Sequence, residues 1–215
     1  MINQTVLDEL WNFDNPELSA ERFGQAIENV AQQTDQDEFK TQLARALGLQ
    51  GEFEKAEEIL SSIGLSTAAP VVRTRVALER GRLANSSGRS AEAPPHFTSA
   101  AELAESVELA EQENLEFLRI DALHMLAIVD HEHAESWARQ GLLLAENSHD
   151  PRTQRWAVSL HNNLGWTYFD AGELARALPE FEAALHWAQK AGTEAQRTFA
   201  QQAIEECQEA IAAQA

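Results

Sequence analysis

Three imidazoles lie close together in the stretch LHMLAIVDHEHAESW: His124, His131 and His133. With Glu132 or Glu135 alongside they form the donor set of zinc or a similar ion, so a metal-dependent enzyme using these histidines is the one catalytic reading the residue types offer. Their spacing matches no established metal motif, and His124 beside Met125 reads equally as a buried or half-buried packing residue. The chain has no P-loop-type phosphate loop, no GxGxxG, no GxSxG and no HExxH. The adjacent acids Glu205 and Glu206 point about 100° apart on a helix, which is no arrangement for paired acid and base work. Cys207 is the only cysteine, which rules out an internal disulfide and any multi-cysteine metal site. It shares a three-and-four spacing with Phe199, Ala203, Ile204 and Ile211, and so belongs to the buried stripe of a helix. No catalytic residue, cofactor or metal is assigned, and the chain is read as non-enzymatic.

Charge narrows the binding chemistry. The 215 residues include 35 Asp plus Glu against 16 Lys plus Arg, a formal net charge of −19. Such a surface repels phosphate backbones, because nucleic-acid affinity comes largely from Lys and Arg displacing counterions. Nucleic acid and anionic membranes are therefore not expected as partners. No stretch reaches the roughly 18–20 uninterrupted apolar residues of a membrane helix, and MINQTVLDELWNF lacks the features of a signal peptide, so a cytoplasmic location is expected. Glu102, Glu105, Glu108 and Glu111, interleaved with Leu103, Val107 and Leu109, read as a solvated helix face.

The elements that would position these side chains show in a repeat of small residues. From Gly165, small residues follow after 12 positions (Ala177) and 19 (Ala184). Gly81, Ala93 and Ala100 keep both offsets, as do Ala122, Ala134 and Gly141; Ala44 and Ala56 keep the first, with Ile63 in the last place. Seven residues after the first small position comes a glycine in three units, Gly51, Gly88 and Gly172, while Val129 breaks the rule and leaves the third turn to Asp130. Two antiparallel helices approach closely only where one offers Gly or Ala to a larger side chain of the other, such as Phe53, Phe97, Leu174 or Phe181. Each unit is thus a helical hairpin whose apolar face is covered by the next.

In LHNNLGWTYFDAGELARALPEFEAAL, Leu164, Gly165, Tyr168, Gly172, Ala177, Phe181 and Ala184 fill the signature places of a tetratricopeptide repeat, and the four units together resemble that family over roughly residues 37–192. The second unit matches at Gly81, Gly88, Ala93, Phe97 and Ala100, but Pro94 and Pro95 must start its second helix late or kink it. First small positions 37, 41 and 43 residues apart exceed the roughly 34 of the standard repeat. The resemblance implies an all-α, right-handed α-solenoid of tetratricopeptide-like hairpins with an N-terminal helix and a C-terminal capping helix. It gives one superhelical domain over 1–215: an N-terminal segment and helix (1–36), repeats at 37–72, 73–113, 114–150 and 151–192, and a capping helix at 193–215. Asn15–Pro16–Glu17 marks the start of the first of these helices, with Phe23, Ile27 and Val30 along one face. The chain is also similar to stand-alone bacterial tetratricopeptide proteins and to repeat arrays attached to bacterial regulators, which implies a binding role.

In this family the first helices of successive hairpins line a concave groove. On the corresponding faces stand Gln42 and Arg45 in the first unit; Arg75, Leu78, Glu79, Arg82 and Asn85 in the second; Arg119 in the third; and Arg155, Ser159, Asn162, Asn163, Trp166 and Phe169 in the fourth. Arginine forks and Asn amides hold carboxylates or an extended backbone, and Trp166 is a rigid anchor, so an acidic or C-terminal peptide is the expected ligand. The alternative is an ordinary salt-bridged face in which Glu79 pairs with Arg75 and Arg82. A chaperone-tail clamp is not expected: the only lysines are Lys40, Lys55 and Lys190, and the first unit has no Asn on this face. The chain is accordingly read as an adaptor or sensor module with a protein or peptide partner. Self-assembly through Trp11, Phe13 or the C-terminal helix, for example as a homodimer, is the second reading. Outward Gln201, Gln202, Glu205, Glu206 and Gln208 look like a polar cap and favour the first.

Overall fold

A computed structural model of the chain describes residues 2, 4–106 and 112–214, with backbone alone at 112–114. Val107, Glu108, Leu109 and Glu111 of the acidic run lie outside the described residues; Glu102 and Glu105 are exposed, as a solvated face requires. Every described element is helical, and the class is all-α. The chain divides into two compact units, 1–122 and 123–215.

The first unit contains α1 (Gln4–Leu10), α2 (Pro16–Asn29), α3 (Gln33–Leu49), α4 (Phe53–Ser61), α5 (Pro70–Ser86) and α6 (Ala93–Glu105). The Asn15 side chain accepts the Leu18 amide at 3.0 Å and Pro16 opens α2, so that helix starts where the sequence places it. Helix α1 is a separate element of the N-terminal segment, ahead of the helix that Asn15 and Pro16 start. Helices α3 and α4 form one hairpin and α5 and α6 the next, while α2 and α5 flank α3. A 3₁₀ turn at Ser90–Glu92 precedes α6, which begins at Ala93 with Pro94 and Pro95 in its first turn. The prolines therefore delay the helix rather than kink it, because its first amides need no partner within the helix.

Helix α7 (Gln112–Val129) carries the boundary between the units. The second unit continues with α8 (Ala134–Asn147), α9 (Pro151–Gln154), α10 (Trp156–Asp170), α11 (Leu174–Ala191) and α12 (Glu194–Gln214). Helices α10 and α11 form a hairpin, with α8 against α10 and α12 against α11. The Asp130 carboxylate organises the turn before α8, accepting Trp137 Nε1 at 2.9 Å and lying 3.1 Å from His133 Nδ1.

The small-residue pattern has the packing meaning assigned to it. A Cβ on Gly81 would stand 2.5 Å from Phe97, and one on Gly165 would collide with Phe181; both rings are fully buried. The turn glycines Gly51, Gly88 and Gly172 have φ of 78°, 81° and 75°, a left-handed conformation that costs other residues energy. On α12 the buried stripe is narrower than the sequence suggested. Ala200, Ala203, Ile204 and Cys207 are buried, but Phe199 is 67 % exposed and Ile211 37 % exposed.

Candidate functional site

On α3, Glu38, Gln42 and Arg45 stand at spacings of four and three, and on α5 Arg75, Glu79 and Arg82 repeat the pattern, so each helix presents one polar face. Side-chain bonds bring these faces together. Arg75, only 6 % exposed, lies with Nε 3.4 Å from Glu38 Oε1 and donates through Nη2 to Gln4 Oε1 at 2.8 Å. Arg82 donates to Glu79 at 2.5 Å and to both oxygens of Asp121, on α7, at 2.6 Å. Arg119 reaches the exposed Glu105 at 2.7 Å, and Asn85 is half-buried on α5.

Burial sets the electrostatics here, and the carboxylates oppose it unevenly. For Arg82, burial disfavours the charge but Asp121 and Glu79 outweigh it, holding the guanidinium more firmly charged than usual. For Arg75 burial wins over Glu38 and Glu79, and its pKa is lowered; Glu38 is raised, again by burial, against the pull of Arg75. Arg45 is also lowered, by burial and then by the positive charge of Arg82. Among the described residues Arg45 forms no ion pair. Its guanidinium lies instead over the rings of Trp11 and Phe13, 5.7 and 5.8 Å from their centroids. The pairing alternative thus holds for Glu79 and Arg82, whereas the ion-pair partner of Arg75 is Glu38 on the neighbouring helix.

In the second unit the candidates separate. Arg155 is exposed and its Nε donates to the Ala191 carbonyl at 3.1 Å, which satisfies the end of α11. Asn163 donates to His124 Nε2 at 3.0 Å, and His124 leans against Trp156 at 5.1 Å. Phe169 meets the edge of Trp166, 5.2 Å between centroids, and Phe181 supports the same indole at 5.0 Å. Asn162 and Trp166 are the two that converge on open space.

That space is a cavity of about 300 Å³ between α10 and α12. Ser159, Asn162 and Trp166 line it from α10; Phe199, Gln202 and Glu206 line it from α12. Both sets follow the spacing i, i+3, i+7, so two helix stripes face each other. The three-and-four spacing on its own places Phe199 on the buried stripe and Gln202 and Glu206 on the polar cap. Their placement follows from α12 docking through Ala200, Ala203 and Cys207, which leaves the neighbouring residue, Phe199, on the cavity that Trp166 also lines. A lining of two aromatic rings with amide and carboxylate groups suits an apolar side chain and its adjoining backbone.

The histidine reading finds no such convergence. His124 is engaged with Asn163 and Trp156, His133 faces Asp130 and is exposed, and His131 is exposed. Among the described residues no group of three or more His, Cys, Asp or Glu side chains is placed to hold a metal ion. The histidine that does organise structure is His161, which no metal-like spacing marks in the sequence. Its Nδ1 lies 2.7 Å from Glu180 and its Nε2 3.0 Å from Glu146, while Arg139 donates to Glu180 at 2.5 Å, tying α8, α10 and α11 together. Cys207 is buried with Sγ 3.9 Å from the Leu174 carbonyl, and burial pushes its thiol pKa up, so it is packed rather than activated.

Comparison with known proteins agrees with this architecture. The tetratricopeptide repeat model matches residues 39–61, over α3 and α4, and 158–183, over α10 and α11. The crystal structure of BtubC (BKLC) from P. vanneervenii is similar in fold, with a TM-score of 0.66 and 18% sequence identity over 96% of this chain and 84% of that one. No curated protein sequence matches the chain significantly. No described helix is long and apolar enough to cross a membrane.

Proposed function

Taking as premise that this chain carries tetratricopeptide repeats, whose general role is protein–protein interaction or scaffolding, we propose that it is a non-catalytic adaptor or sensor that binds a segment of a partner protein. The observation that carries the reading is the cavity between α10 and α12, where Phe199 is 67 % exposed beside Trp166 and Asn162. A large apolar ring left at the edge of a concave site is unusual for a solvated surface and typical of a hot spot. The chemistry favoured is an aromatic or aliphatic anchor held between Trp166 and Phe199, with its backbone hydrogen-bonded by Asn162 or Gln202. Glu206 and the net charge of −19 select a segment with flanking Lys or Arg. This shifts the expected ligand from an acidic peptide to a basic one at this site, because Arg155 is committed to the end of α11. A cytoplasmic location fits the single buried cysteine.

Panning a random peptide library on the full chain tests the proposal. Selected peptides should share an apolar anchor with basic neighbours, and Phe199→Ala or Asn162→Ala should weaken their binding by about tenfold or more at unchanged helicity. Peptides that survive both substitutions would place binding elsewhere. Self-assembly is the second reading, favoured by Leu143, 66 % exposed on α8. Mass in solution across a dilution series distinguishes it: a closed oligomer insensitive to Phe199→Ala and lost with Leu143→Glu supports assembly.

A further inference from the structure

The polar face of α3 and α5 in the first unit is already occupied. Segment 4–13 lies across it, and its contacts are those of a bound peptide: Gln4 accepts from Arg75 at 2.8 Å, Trp11 donates its indole N–H to Gln42 at 3.0 Å, and the rings of Trp11 and Phe13 underlie Arg45. The two rings are themselves stacked, 4.7 Å apart and 1° from parallel. Between these polar ends Leu7 is fully buried and, with Ile2, packs into a cluster with Phe23 and Phe39. Gln42, Arg45 and Arg75, which receive the segment, are all residues the sequence places on the binding side of the first helices.

We propose that segment 4–13 is a resident, displaceable ligand of this face, and that the face serves a partner segment of the same chemistry: an amide or carboxylate acceptor for Arg75 and an aromatic ring for Gln42 and Arg45. Several features distinguish the segment from a permanent part of the core. Helix α1 has seven residues, fewer than an isolated helix needs for stability, and Leu7 is its one buried residue. Val6 is 41 % exposed and Phe13 62 % exposed, and Leu10 and Trp11 are only partly buried where they pack against the cluster. Arg45 forms no ion pair among the described residues, and Arg75, beside the Glu38 carboxylate, takes a neutral amide from the segment. A carboxylate arriving in place of Gln4 would make a charge-assisted bond, stronger than the neutral one it displaces. This proposal is independent of the α10–α12 cavity, and either site can fail alone.

A fluorescently labelled peptide of residues 1–14, titrated into the full chain, provides the test. Wild type should bind it weakly, because its own segment competes at high effective concentration. A Gln4→Ala, Trp11→Ala variant should bind it roughly tenfold more tightly or better, and adding Gln42→Ala should reverse the gain. Absence of binding to a variant of wild-type helicity overturns the proposal. If that variant does not fold, amide exchange in the wild type decides: amides of 5–13 exchanging well before those of α3 support a displaceable segment, and equal protection overturns it.

Discussion

At the scale of single residues, the contacts legible in advance were those set within one hairpin. Gly81 and Phe97 are sixteen positions apart, as are Gly165 and Phe181, and both pairs meet. The turn length fixes such a separation, so it leaves a constant mark on the sequence. Giving Gly165 a methyl forces the Phe181 ring to move, and Gly165→Ala should cost about 1–3 kcal/mol in chemical denaturation. Gly24 is the control: a Cβ there meets nothing within 4 Å, and Gly24→Ala inside α2 should gain about 0.5–1 kcal/mol. Equal effects at the two positions would mean that backbone entropy, not ring packing, explains the glycine pattern. The partners of the arginines were not legible in the same way. Glu38 and Arg75 are 37 residues apart and Arg82 and Asp121 are 39, so each pairing depends on how successive hairpins align, which no turn fixes. The shared four-and-three spacing of Glu38, Gln42 and Arg45 with Arg75, Glu79 and Arg82 was the available signal.

At the scale of elements, polar ties between helices carry opposite responses to acid. Burial pushes Glu180 up, but hydrogen bonds from His161 and Arg139 outweigh it, and its pKa lies below the usual carboxylate range. A depressed carboxylate contributes stability that is present above its unfolded value and is lost as pH falls through its folded value. Wild type should therefore exceed Glu180→Gln in stability by about 1–3 kcal/mol at neutral pH. The gap should close on acidification below about pH 5, read from melting curves across pH. A gap independent of pH would show that shape rather than charge holds α8, α10 and α11. Glu38 acts in the other direction: its raised value means that its contribution is present at low pH and lost as pH rises through the folded value. The hairpins, the turn glycines and the delayed α6 were readable from sequence because each is a local rule of backbone geometry. Helix α1 was not, since the apolar stripe of Leu7, Leu10 and the adjoining Trp11 spans barely one turn and its place depends on distant Gln42 and Arg75.

At the scale of the whole chain, ion pairs cancel acids along with arginines, so a large excess of negative charge remains for partners to meet. Arg75 and Arg82 are turned inward, and Arg139 and Arg176 are tied to Glu180, Glu135 and Glu173. Like charges left on the surface repel, so added salt should raise stability by screening and should weaken capture of the basic peptides expected at Phe199. The lone cysteine gives a way to time one motion. Cys207 sits against the Leu174 carbonyl under α12, the helix that supplies half of the cavity wall. A thiol-specific reagent can reach it only when that helix lifts, so the labelling rate of the native protein is a clock for undocking of α12. A ligand seated between Trp166 and Phe199 should slow that clock in proportion to its occupancy. Labelling at the same rate with and without a saturating peptide would mean that the peptide sits elsewhere.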